Sequence, residues 1–297
     1  MAATLFAVVL ALLLGHGLPG LTGIRDFGWL NSWGGWLQNR LSQPERSPNA
    51  WLLLPLIGLP VLAVLVLQLA LRDGWLASLI GFVFATAILF YCWGPRDLDV
   101  DVERIVEAES QGERLAAAQT LWPENGQPNL NGPALVEAVF RGALRRWFGV
   151  LFWFLLLGPA GAVLYRLTAL TAEDALAQAL NPDSRDAAND LLRILDWPAA
   201  QLTTLGLALA ANFDSVMAAW RDWHAGGFGL DSGFLGAAAR ACVASEIAAE
   251  RDEDEHADAL ATIPALAELR DAMSLVWRVL LLWLAVLALF VLAGWVD

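Results

Sequence analysis

The residues best suited to chemistry gather around one interrupted apolar run. Phe148–Leu167 is broken by Gly158-Pro159-Ala160-Gly161 and leaves through Tyr165-Arg166. Beyond it, Asp190, Arg193 and Asp196 precede a Trp197-Pro198-Ala199 turn. Arg166 and Arg193 carry the planar donor fork that holds phosphate or carboxylate in two parallel hydrogen bonds. Helix capping and surface pairing account for the same residues equally well. Gly158, Pro159, Gly161, Tyr165, Arg166, Asp190, Arg193 and Asp196 are therefore ligand-binding candidates, with no catalytic role assigned.

Other clusters yield less. All 18 basic residues are Arg, which excludes a phosphate-loop lysine and Schiff-base chemistry but leaves nucleotide binding through Arg open. Asp97, Asp99, Asp101 and Glu103 fall in the first turns of a helix, where carboxylates suit the macrodipole, so they read as a solvated helix start rather than a metal site. The acidic run from Glu246 to Asp258, with His256 inside it, reads as a solvated mobile loop. Glycines 226, 227, 229, 233 and 236 do not form a dinucleotide fingerprint, and no strand precedes them. Cys92 and Cys242 stand apart, so free buried thiols are expected rather than a disulfide or thiolate zinc. His16 is a lone histidine near an interface and reads as structural. No metal and no cofactor are expected.

The elements that must position these residues are membrane-like. With 58% hydrophobic residues, 16% charged and a mean hydropathy of +0.53, the chain departs from soluble composition. The expected fold is an all-α integral membrane protein, one polytopic domain over 1–297. About five transmembrane or re-entrant segments are expected, at 4–21, 51–71, 75–93, 148–167 and 276–296. Polar helical segments at 95–147 and 168–275 lie between them, and 25–49 is an interfacial loop or short helix. Trp51, Trp75, Trp93, Trp147, Trp277 and Trp295 sit at run ends, as an interfacial belt would. A net charge of −13 argues against nucleic acid as a partner and leaves the lipid bilayer as the first one.

Within the polar segments, Leu98, Val102, Ile105 and Val106 fall on one helical face, and Pro133 opens a helix with Val136, Val139, Phe140, Ala143 and Trp147 inward. Glu137 and Arg141 are spaced as an ordinary surface pair. Thr171 with Asp174 suggests a helix start, Asn181-Pro182 a helix end, and Asp196 a cap on the next helix. Residues 198–223 read as amphipathic. Arg96, Arg141, Arg145 and Arg146 make 95–147 cytoplasmic. If 148–167 crosses as one helix, 168–275 lies outside; if the break folds it back, that segment is mainly cytoplasmic, which is the placement favoured.

Three stretches carry a resemblance: CWGPRDLDVDVE at 92–103, EAVFRGALRRWFGVLFWFLLLGPAGAVLYRL at 137–167, and LDWPAAQL at 195–202. Together they resemble the AmpE family of bacterial inner-membrane proteins. The resemblance implies a multi-pass regulator that modulates β-lactamase expression in connection with cell-wall recycling. A small cell-wall-derived or nucleotide ligand and a regulatory protein partner would go with that role. The pattern is also distantly similar to the CobD/CbiB membrane enzymes of cobalamin biosynthesis. Where those have an Ala-Glu-Asn group this chain has Phe140-Arg141-Gly142, and their Asn-Thr-Leu-Asp is Thr168-Ala169-Leu170-Thr171. Their Asp-Asp falls near Leu192-Arg193, and the Arg of their Pro-Ala-Arg turn is Gln201. Exchanging carboxylates for Arg and Thr weighs against retained catalysis, and a related ligase or transferase with another substrate is the alternative. A transporter is the third reading, and the chain shows no inverted repeat to support it.

Overall fold

The computed structural model describes residues 2–17, 25–41, 49–72, 75–93, 97–122, 126–173, 180, 182–227, 229–253 and 264–293. The side chains of His16 and Trp75, and residues 18–21, 254–258 with His256, Asp174, Asn181 and Trp295, lie outside the description. The described residues are mostly helical and include no strand. In chain order the helices are α1 (Ala2–Gly17), α2 (Gly28–Leu41), α3 (Leu53–Ala70), α4 (Trp75–Cys92), α5 (Leu98–Glu107), α6 (Gln111–Ala118) and α7 (Gly132–Ala143). After one π-helical turn, Leu144–Phe148, come α8 (Gly149–Leu157), α9 (Pro159–Glu173), α10 (Pro182–Ala210), α11 (Phe213–His224), α12 (Gly233–Glu253) and α13 (Pro264–Leu292).

Two compact units share the chain. The first holds Met1–Arg96, Arg145–Leu195 and Ala288–Asp297; the second holds Asp97–Leu144 and Asp196–Leu287. In the first unit α1 packs on α4, α2 on α3, and α9 on α8, α3 and α4. In the second, α12 lies against α7 and α11, and α5 against α6 and α7.

Apolar length builds two helices that could cross a membrane: Leu53–Ala70, and Leu266–Leu292 within α13. Only 11% and 22% of their apolar windows are buried, whereas the core helix of a soluble domain is mostly covered. Leu54, Leu62 and Val66 on α3, and Leu281, Leu289 and Leu292 on α13, are exposed. Contiguous apolar surface of this kind marks contact with lipid or another apolar phase. Leu5–Gly15 and Ala77–Cys92 are shorter apolar helices. Pro60 lies inside α3, while Pro55 sits in its first turn, where no backbone donor is lost.

Local signals shape the second unit. Leu98, Val102 and Ile105 are buried as the periodicity of α5 requires, and Pro133 opens α7 over buried Val136, Val139, Phe140 and Ala143. Ser110 and Glu113 form a capping box at the start of α6. Burial pushes the Cys242 thiol above its ordinary value, and Cys92 and Cys242 are both free and buried.

Several expectations give way. Asp196 is buried in the middle of α10, which continues through Pro198, so it caps nothing. The ring of Pro198 opens the turn before it, and the Trp153 indole N–H donates to the Leu195 carbonyl there at 3.0 Å. Thr171 is inside α9, donating to the Leu167 carbonyl at 2.7 Å, rather than starting a helix. Residues 246–253 are helical, not loop: they continue α12, whose Glu246 meets Arg278 of α13 at 2.9 Å. Asp101 is buried rather than solvated, with Arg104 at 3.8 Å. Trp93 and Trp147 are buried and stacked, ring centres 6.2 Å apart, rather than placed in an exposed belt.

The packing predicts contrasting glycine substitutions. A Cβ on Gly161 would press into the Trp153 backbone carbonyl, whereas one on Gly58 meets nothing within 4 Å. Gly161→Ala is expected to lower unfolding stability in detergent by about 1–3 kcal/mol. Gly58→Ala is expected to be neutral or to stabilise by about 0.5–1 kcal/mol. Thermal unfolding of the two purified variants checks both.

Candidate functional site

The site begins with a backbone break. Gly158 adopts φ 73°, ψ −157°, a region essentially restricted to glycine. Its N–H closes α8 on the Phe154 carbonyl at 2.8 Å, and its carbonyl starts α9 by accepting from Gly161 and Ala162 at 3.0 and 3.3 Å. Pro159 fits the first position of α9 because it has no donor to lose there.

Two of the backbone groups left over at the break, the Leu157 carbonyl and the Ala160 N–H, are met by one side chain. The Gln68 amide nitrogen donates to the Leu157 carbonyl at 3.2 Å. Its oxygen accepts from the Ala160 N–H at 3.1 Å. Gln68 belongs to α3, where every other side chain is apolar or absent. A Cβ at Gly158 would reach the Gln68 nitrogen at 2.6 Å, so the glycine also gives the amide room.

From this apex α8 and α9 run back along each other. Gly161 faces the Trp153 backbone and Leu157, and Gly149 faces the Tyr165 ring. Farther from the apex, Arg145 pairs with Glu173. These pairs fix an antiparallel helical hairpin, so 148–167 does not run as one straight rod. The Trp93–Trp147 stack places the base of the hairpin at the C-terminal end of α4. The apex sits beside Gln68, in the last turn of α3.

The candidate residues divide by role. Gly158 and Pro159 make the turn, and Gly161 and the fully buried Tyr165 make the helix contact. Arg166 is buried with its guanidinium 5.6 Å from the Phe27 ring centre, a cation–π contact strengthened by desolvation. A second buried arginine, Arg25, lies over Phe90 at 4.2 Å. The adjoining chain is tied to α4 by Tyr91, whose hydroxyl donates to the Asp26 carbonyl at 2.7 Å and accepts from the Trp29 indole at 2.8 Å. Asp190 and Arg193 pair with each other at 3.5 Å, 73% and 68% exposed. Such surface pairs contribute little.

Charge is organised separately in the second unit. Glu137 accepts from Arg141 at 3.0 Å and from Arg240 of α12 at 2.7 Å, so the expected surface pair is a three-residue bridge. Gly236 leaves space for it. Glu268 of α13 lies against Gly132, where a carboxylate favours the N-terminus of α7.

No protein-family model, curated protein or solved structure matches the chain. The geometry therefore carries the functional argument. The first unit offers a fixed buried positive charge at Arg166 and a backbone break satisfied by one amide. That equipment holds shape. Two features escaped the reading of the sequence: Gln68, whose signal is a lone amide in an apolar run, and Trp153, whose donor could only be placed once Pro198 was known to lie within a helix.

Closing the hairpin base by an ion pair has a measurable consequence. A double-mutant cycle of Arg145→Ala and Glu173→Ala should give a favourable coupling of about 1 kcal/mol in unfolding measurements. Additive effects within about 0.3 kcal/mol would mean that the pair does not hold the base.

Proposed function

We propose that this chain is a multi-pass protein of the bacterial inner membrane, a regulator of AmpE type that modulates β-lactamase expression in connection with cell-wall recycling. The observation that carries the reading is the interrupted hairpin fastened by Gln68. It gives an otherwise apolar scaffold one interrupted element held at its turn by a single side chain, the kind of place where a bound ligand biases a conformation.

Support for membrane residence comes from the exposed apolar faces of α3 and α13. The shorter apolar helices α1 and α4 complete the crossings, and the 148–167 hairpin is re-entrant. A hairpin enters and leaves by one face, so the chain after Glu173 returns to the face of Trp147, which its arginines make cytoplasmic. The three stretches that carry the resemblance also hold fastening contacts: Trp93 on Trp147, Trp153 on Leu195, and Gln201 accepting from the Trp220 indole at 3.0 Å.

The regulator acts without retained catalysis, responding to a small cell-wall-derived or nucleotide ligand and passing the response to a regulatory protein. A corrinoid-type ligase would gather acid groups around a metal-bound phosphate. Asp190 and Arg193 instead engage each other on an exposed face.

Deleting the gene and measuring β-lactamase induction with muropeptide pools tests the role. An altered induction threshold, restored by the wild-type gene, is expected. Unchanged induction and unchanged pools would reject the regulatory reading.

A further inference from the structure

We infer that α2 is an in-plane helix at the membrane interface, and that its tryptophan stripe, with Arg40, is a docking site for the phosphate headgroup of an anionic phospholipid. The inference rests on the membrane residence proposed above, but not on the regulatory role.

Three sectors divide α2. Leu30 and Leu37 are buried, and the helix packs on α3 and on the 3-10 turn Asn49–Leu52 that leads into it. Asn31, Ser32, Gly35 and Asn39 are exposed and form a polar sector. Trp29, Trp33, Trp36 and Arg40 follow at i, i+4, i+7 and i+11, which is one face of a helix. Trp29 and Trp36 are 43% and 51% exposed, so this aromatic face is not core. Its rings are nonetheless fixed. Trp33 and Trp36 stack with centres 5.3 Å apart. The Trp29 indole N–H donates to the Tyr91 hydroxyl at 2.8 Å, and the Arg40 guanidinium lies 5.8 Å from the Trp36 ring centre.

Position decides the occupant. Asn49–Leu52 is the entry end of α3, and Tyr91 stands in the last turn of α4. The contacts of α2 therefore lie at the ends of two apolar helices. Trp51 and Leu54, at that end of α3, are 44% and 75% exposed. Exposed tryptophans at 29, 36 and 51 thus gather at the level where the apolar face of α3 begins. Amphipathic rings take up that position at headgroup depth, and an amphipathic helix lies there in the membrane plane. Arg40 adds a planar donor fork suited to phosphate. Within 25–41 the one acid, Asp26, stands at the other end of α2, about 21 Å along the helix. Its carboxylate accepts from the Gly28 N–H at 2.8 Å, so it leaves the charge of Arg40 to a ligand.

Placement and headgroup are read separately in the full chain carrying Cys92→Ala and Cys242→Ala. Single nitroxides at Trp36→Cys, Ser32→Cys and, as a frame marker on α3, Leu62→Cys are compared in vesicles of phosphatidylcholine and phosphatidylglycerol. Oxygen should reach the labels at Leu62→Cys and Trp36→Cys in preference to a water-soluble nickel chelate, and the label at Ser32→Cys should show the reverse. A Trp36→Cys label open to nickel, or closed to both reagents as a second copy of the chain would leave it, overturns the placement. Loss of the lipid signal at Leu62→Cys would instead remove membrane residence itself. For the headgroup, a bimane at Asn39→Cys is quenched by chain-spin-labelled phosphatidylglycerol or phosphatidylcholine titrated into detergent-solubilised protein. The preference for phosphatidylglycerol should fall about fivefold in Arg40→Gln and persist in Arg40→Lys. An unchanged preference in Arg40→Gln, or relief of quenching by millimolar inorganic phosphate, which would mark a soluble-phosphate site, overturns the phospholipid assignment.

Discussion

One amide, that of Gln68, satisfies the carbonyl of Leu157 and the N–H of Ala160 on either side of a glycine that no other residue type can comfortably replace. The rest of the first unit follows from this constraint. With the turn fixed, α8 and α9 lie along each other, Gly161 meeting the Trp153 backbone and Gly149 making room for the Tyr165 ring. The close approach buries Tyr165 and seals the base with an ion pair. In apolar surroundings no water can stand in for a missing partner, so the break and its amide form one device.

The second unit uses charge differently. Apart from α13 its helices are more polar than α3, and three of its acids sit where a neighbouring helix offers positive charge or a helix N-terminus. Glu137 is shared by two arginines, Glu246 takes Arg278, and Glu268 rests at the start of α7. In the acidic stretch that begins at Glu246, Arg278 on α13 compensates the first of these charges. The first unit relies on satisfied backbone and aromatic cover, with Arg25 and Arg166 laid against phenylalanine rings.

Much of this was legible in residue spacing because local periodicity and proline placement act within a few turns. The face of Leu98, Val102 and Ile105, the opening of α7 at Pro133 and the apolar runs of α3 and α13 all follow from such local rules. The interruption at Gly158-Pro159 was equally visible, but its outcome was not, because a kinked span and a folded-back hairpin share one sequence. The deciding partner lies about 90 residues away in the chain. Asp196 and Pro198 misled for a related reason. They resemble a cap and a first-turn proline, yet α10 runs on through both, with Asp196 buried and the Trp153 indole donating to the Leu195 carbonyl beside them. The reach of Glu137 to Arg240 is likewise tertiary and leaves no local trace.

The distance between the two arms of the hairpin tests the central claim most directly. Nitroxide labels at Arg146→Cys and Leu164→Cys, in the cysteine-free protein reconstituted in lipid, would be read by pulsed electron spin resonance. Antiparallel arms, with helix axes about 10 Å apart, predict a separation below about 20 Å. A distribution centred near 27 Å, the length of 18 residues of straight helix at about 1.5 Å each, would contradict the folded-back arrangement on which the account stands.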